Sequence, residues 1–265
     1  MNLIQHGLVF AVGLFVSVLV FLELGRRLGL RHLAADGTRD GFGTVEGAVF
    51  GLLGLLLAFT FSGAAERFDQ RRRLITEEAN AIGTAWLRID LAPAEAQPEL
   101  RAGFRRYLDS RLATYQNARD LEVAMAEYTR SAVIQGEIWT QSVAVCRQPA
   151  AAPNACSLML SATNEMIDIT TTRLMATRMH PPPVIFGMLA TLMAAGALLA
   201  GHAMAATKAR SWVHGLAYAA MMALTVYIII DIEYPRLGLV RVDEADAVLV
   251  DLRKSMEEAP GPATK

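Results

Sequence analysis

Four apolar stretches without a charged side chain, each near the length of a bilayer crossing, constrain this chain more than any other feature in it. They cover residues 7–22, 47–65, 184–206 and 213–230. The hydrocarbon core of a bilayer is about 30 Å thick, so a spanning helix needs roughly 20 mostly apolar residues. Lipid offers the backbone no hydrogen-bonding partner, so each stretch is expected to be helical. The composition agrees, at 53% hydrophobic against 19% charged residues, with a mean hydropathy of +0.31. A secretory signal fits the first stretch poorly. No Lys or Arg precedes it, and no small-residue cleavage site follows promptly. Arg26 and Arg27 read as a stop at the headgroups.

The expected fold class is all-α: a polytopic membrane protein with four spans and a helical water-soluble domain. Residues 1–65 hold the first two spans, 66–182 the soluble domain and 183–234 the last two spans. Residues 235–265 form a C-terminal segment, expected to be disordered at its Pro- and Gly-containing end. No breaker follows the second span before Pro93 and Pro98, so that span and the residues up to Asp90 read as one helix of roughly 65 Å. Three further helices are expected near 99–119, 121–146 and 155–179, the last stopped by Pro181, Pro182 and Pro183. Strand signals and internal repeats are absent from the pattern.

No catalytic constellation is present. The sequence lacks a phosphate-binding Walker loop, a dinucleotide fingerprint and a nucleophile elbow, and its five histidines are not at metal-ligand spacing. No metal or cofactor is called for. A net charge of −1 gives no reason to expect nucleic acid as a partner. The partners implied are the lipid bilayer, and Arg71-Arg72-Arg73 reads as an anchor on its anionic headgroups. At the same depth Asp231 and Glu233 end the fourth span. They are expected to pair with the basic cluster from Arg67 to Arg73, before Pro235 and Gly238 turn the chain away.

The second span separates into two stripes. Gly47, Gly51, Gly54, Ala58, Ser62 and Ala65 are small, at the spacing that lets helices approach closely. Glu46, Phe50, Leu53, Leu57 and Thr60, continued by Ala64, Arg67 and Arg71, place an acid at one mouth, bulk in the middle and bases at the other. Several copies around an axis would make this second stripe a pore with a hydrophobic constriction. Periodicity alone favours a plainer arrangement, with the small stripe inside the monomer and the bulky one on lipid. His202, within the third span, is a candidate pH sensor, since histidine titrates near neutrality. His214 reads as a solvated interface residue.

An even number of spans puts both termini and residues 66–182 on one side. The short connections carry Arg26, Arg27, Arg31, Arg39, Lys208 and Arg210. The other side carries Arg67, Arg71, Arg72, Arg73, Arg173, Arg178, Arg236 and Arg241, eight against six. Positive charge marks the cytoplasmic side, so the domain and termini are expected there. Cys146 and Cys156 flank a turn and are expected to stay reduced. A disulfide between them would argue for the inverted topology.

The strings EGAVFGLLGLLLAFTFS at 46–62, RFDQRR at 67–72, EEANAIGT at 77–84 and DIEYPRLG at 231–238 resemble the bestrophin-like family of prokaryotic membrane proteins. The likeness extends over nearly the whole chain. Tyr234 and Arg236 depart from the pattern, which expects an arginine and an aromatic residue there. The family is named for a distant similarity to bestrophins, which are pentameric ion channels with two spans, a cytosolic helical segment, two more spans and a cytosolic tail. That resemblance implies a homo-oligomer in a bacterial plasma membrane, conducting inorganic ions through a pore lined by the second span. The apolar neck would fall at Phe50, Leu53 and Leu57, and Glu46 tilts the expectation towards cations. The competing class is a membrane-anchored interaction or sensory protein without a pore. A transporter would call for paired broken helices or an inverted repeat, and neither is seen in the sequence.

Overall fold

The structure is a computed structural model. It describes residues 3–36, 42–118, 120–205, 212–235 and 239–258. Arg39, Lys208, Arg210, Arg236, Gly238 and the end of the tail, 259–265, lie outside the described residues. Every regular element among those described is helical: α1 Leu3–Asp36, α2 Phe42–Arg88, α3 Gln97–Gln116, α4 Leu121–Cys146, α5 Pro153–Arg178, α6 Pro183–Met204, α7 Trp212–Glu233 and α8 Asp243–Glu258, with a 3-10 turn at Ile89–Leu91. Four of the helical stretches are long and apolar enough to cross a membrane. They correspond to α1, α2, α6 and α7.

Helix starts follow local chemistry. The Asp120 side chain accepts from the Val123 amide and so caps α4. Prolines open α5 and α6, where a missing N–H costs nothing and a fixed φ suits the first turn. Arg26 and Arg27 do not stop α1, which runs on to Asp36. Arginine is a good helix former, and a headgroup boundary ends an apolar stretch without ending a helix. α2 has 47 residues, about 70 Å at 1.5 Å per residue.

The chain divides into two compact units. One comprises Met1–Phe68 and His180–Val240, the other Asp69–Met179 and Arg241–Lys265. In the first, α1 packs against both α6 and α7, and Val18, Leu22, Leu53, Met193 and Val226 meet in its core. The closest approach is between α1 and α6. A Cβ on Gly25 would overlap the Leu198 carbonyl, one on Gly201 would overlap the Leu22 carbonyl, and one on Gly29 would crowd Ala205 and the His202 carbonyl. Backbones this close gain dispersion where lipid supplies no hydrophobic drive.

In the second unit α3 packs on α4 and α8, and α4 on α5, around Ile82, Phe104, Leu108, Ile138 and Met166. The helix α8 was not anticipated from the sequence and occupies Asp243–Glu258 of the C-terminal segment, ahead of its Pro- and Gly-containing end. It buries Leu249 and Met256. Arg105 donates to the Met256 carbonyl at 2.7 and 3.1 Å, and Arg253 meets Asp109 at 2.6 Å. The cysteines also depart from expectation. Cys146, the last residue of α4, and Cys156, in the first turn of α5, are joined in a disulfide with their Cα atoms 5.5 Å apart. The short turn between two antiparallel helix ends brings the two Cβ atoms within bonding reach, a proximity that sequence spacing alone does not specify.

Candidate functional site

The site residues of α2 take an orientation that neither sequence arrangement anticipated. Leu53 is 1% exposed and Thr60 is buried, its hydroxyl donating to the Leu56 carbonyl at 2.7 Å. Glu46, Phe50 and Leu57 are half-buried. The Phe50 ring meets Tyr218 of α7 edge-on at 6.4 Å, and both approach Gly196 of α6. The bulky stripe is therefore turned into its own unit. Gly47, Gly51, Gly54 and Ala58 are exposed, and a Cβ on any of the three glycines would meet nothing within 4 Å. The reason is volume: α2 joins this core through side chains long enough to reach α6 and α7, while α1 and α6 already fill the close glycine contact.

A charge cluster sits where α7 ends. Glu233 is 0% exposed. Arg67 grips its carboxylate with Nε at 3.0 Å from both oxygens and Nη2 at 2.8 Å. His180 Nδ1 lies 3.0 Å from the same carboxylate, and the His180 ring stacks on Tyr234 at 4.5 Å. The expected pairing thus forms for Arg67 and Glu233. It does not form for Asp231, which instead accepts the backbone amides of Leu239 at 3.0 Å and Val240 at 2.8 Å. Arg71 does not reach for headgroups. It is buried and donates to the carbonyls of Ala176 and Met179 at 3.0 and 2.9 Å, satisfying the open C-terminal end of α5. In the first unit His202 faces His32 of α1, with ring centroids 6.0 Å apart.

The second unit encloses an ionic centre that sequence reading missed. Glu78 is fully buried and holds Arg111 Nε at 2.6 Å, Arg173 through its guanidinium, and the Tyr115 hydroxyl at 2.9 Å. Burial alone would raise the Glu78 carboxyl. The charges and hydrogen bonds of the two arginines outweigh it and hold the group below the usual carboxylate range. Burial and the Glu78 charge push the Tyr107 hydroxyl up to about 12, so it stays protonated and shares Thr170 and Gln135 in a buried network. Nothing in the local sequence of α2, α3 or α5 links these residues, which converge only through packing. Among the described residues no group of three or more His, Cys, Asp or Glu is placed to hold a metal ion. The buried charges are matched to one another, which suits them to holding helices in register.

Helices of spanning length, an internal core of membrane type and a separate helical unit define a multi-pass membrane protein. Comparison with known families narrows this further: the bestrophin-like domain matches residues 12–247, and the chain belongs to that family. Membership is consistent with a channel-like protein. No curated protein and no solved structure matches the chain.

Proposed function

We propose that the protein is a homo-oligomeric ion channel of a bacterial plasma membrane, with α2 of each copy bordering the conduction path. The observation that carries this reading is the outward glycine face of α2. A spanning helix that leaves Gly47, Gly51, Gly54 and Ala58 unpartnered in its own protomer presents the surface on which a second spanning helix packs most closely. Copies of the same chain supply that helix, in a pentamer by likeness to bestrophins.

The path itself belongs on the side of α2 opposite Leu53. At 100° per residue that direction carries Leu55, Phe59, Ser62 and Glu66, all exposed in the single chain. Leu55 and Phe59 supply an apolar constriction of the kind that gates by dewetting, and Ser62 and Glu66 a polar mouth. Glu46, seven residues before Leu53 and within about 20° of it, lies on the inward face instead, so the acid that favours cations is Glu66 at the polar mouth.

The test is current across a planar bilayer containing the purified protein under an asymmetric KCl gradient. Unitary currents are expected, blocked when Ser62→Cys is modified by a charged thiol reagent and unaffected by the same reagent on Leu53→Cys. Silence across wide ranges of pH, calcium and voltage, from protein that is monomeric or dimeric, would replace the channel with a membrane-anchored interaction protein.

A further inference from the structure

We infer that the buried ionic centre of the helical unit is an anion site, in which Arg111 holds a small monovalent anion of the class of chloride inside each protomer. Each charge in the centre has a partner, but the count does not balance. Glu78 supplies one negative charge, while Arg111 and Arg173 supply two positive ones. Two less one leaves one positive charge over. The Arg111 and Arg173 side chains are 2% and 8% exposed, so water screens that surplus little. Buried ions persist where an opposite charge compensates them, and an uncompensated one is strongly destabilising.

The surrounding groups do not supply the missing charge. The Tyr115 hydroxyl accepts from Arg111 Nη2 and donates to Glu78. Burial, and after it the Glu78 charge, pushes the hydroxyls of Tyr107 and Tyr115 up, so both stay neutral. Thr170 and Gln135, which share the Tyr107 hydroxyl, carry no charge. Glu127 of α4 is engaged elsewhere. It accepts the Ser110 hydroxyl at 3.1 Å and faces Arg130 at 3.6 Å.

The donors of Arg111 mark where the anion sits. Its Nε is taken by Glu78 and its Nη2 by Tyr115. Its Nη1 is buried and has no hydrogen-bond partner among the described residues. A buried charged donor left unpaired is costly, and such an atom in a folded protein calls for a bound ion or water. The rings of Tyr115 and Tyr128 flank the guanidinium, with centroids 4.9 and 5.6 Å from its central carbon. Ring faces attract a cation but carry no net charge, and they accept hydrogen bonds only weakly. A water would satisfy Nη1 and leave the surplus charge. A monovalent anion does both, and a dianion would reverse the imbalance. The site lies within one protomer and does not depend on conduction along α2.

Full-length protein in detergent tests this, with chloride as the probe and bulky gluconate replacing it at constant ionic strength. Wild type is expected to broaden the nuclear magnetic resonance line of chloride beyond detergent alone, with bromide competing. Its unfolding midpoint is expected to rise with chloride and to saturate. Two variants balance the charge by opposite routes. Arg111→Gln removes the surplus together with the unpaired donor, and Tyr128→Glu sets a carboxylate beside the Arg111 guanidinium. Each is expected to return the line width to the detergent value and to abolish the effect of chloride on unfolding. Tyr128→Glu is also expected to raise the midpoint in gluconate. Should Arg111→Gln not fold, Tyr128→Glu decides. A wild type that broadens the line no more than detergent, and unfolds alike in chloride and gluconate, would overturn the inference and leave a water on Arg111. So would broadening of wild-type strength in folded Tyr128→Glu, which would put the chloride elsewhere in the protein.

Discussion

Glu78 shows how much a single buried side chain can decide. It lies between Arg111 and Arg173 with no access to water. Removing one partner of such a set leaves an uncompensated buried charge and costs about 3–5 kcal/mol. Glu78→Gln is expected to lower stability by that amount at pH 7, read from denaturant unfolding in detergent. The sign of the pH dependence follows from the depressed carboxyl. Its contribution is present above the unfolded carboxyl's pKa of about 4.3 and is lost as pH falls through the lower folded value. Wild type and Glu78→Gln should therefore converge only below about pH 4. Parallel curves down to that pH would mean that the arginines find other partners.

Among the elements, α1, α2 and α6 divide two kinds of glycine contact between them. Gly25 and Gly201 sit where a side chain would strike a carbonyl of the facing helix. Gly201→Leu is expected to prevent the protomer from folding, seen as loss of monodisperse protein in detergent. Gly51 has open space around it. Gly51→Leu is expected to leave the protomer's helicity and melting intact while lowering the oligomer mass measured by light scattering. An intact oligomer would remove the glycine face from the assembly. At the far end of α4 the disulfide closes a loop of sequence separation 10. By loop entropy Cys146→Ser is expected to cost about 3 kcal/mol, measured as a loss equal to that caused by reductant on wild type.

At the scale of the whole molecule, most of the architecture was legible in the linear pattern. The apolar stretches announced α1, α2, α6 and α7, because a bilayer demands length and a lack of charge, and both are local properties. The long α2 was legible because no breaker interrupts it, and α4 was anticipated at its observed bounds, Leu121–Cys146. The amphipathic α8 was passed over. Its pattern is short, and its apolar residues find their partners on α3, more than a hundred residues earlier. The two stripes of α2 were separable by periodicity, but which one faces inward was not. A helix wheel gives angles between side chains and no absolute direction. Tertiary packing chose that direction, because Leu53 and Phe50 had volume to fill beside α6 and α7 while Gly25, Gly29 and Gly201 had already closed the narrow gap. The same division holds for charge. Length and the absence of charge in four stretches determined that the chain crosses a membrane. Only the folded chain decided that Arg67, Arg71 and Arg173 are consumed internally and that Cys146 meets Cys156, because burial and pairing depend on neighbours that the sequence leaves far apart.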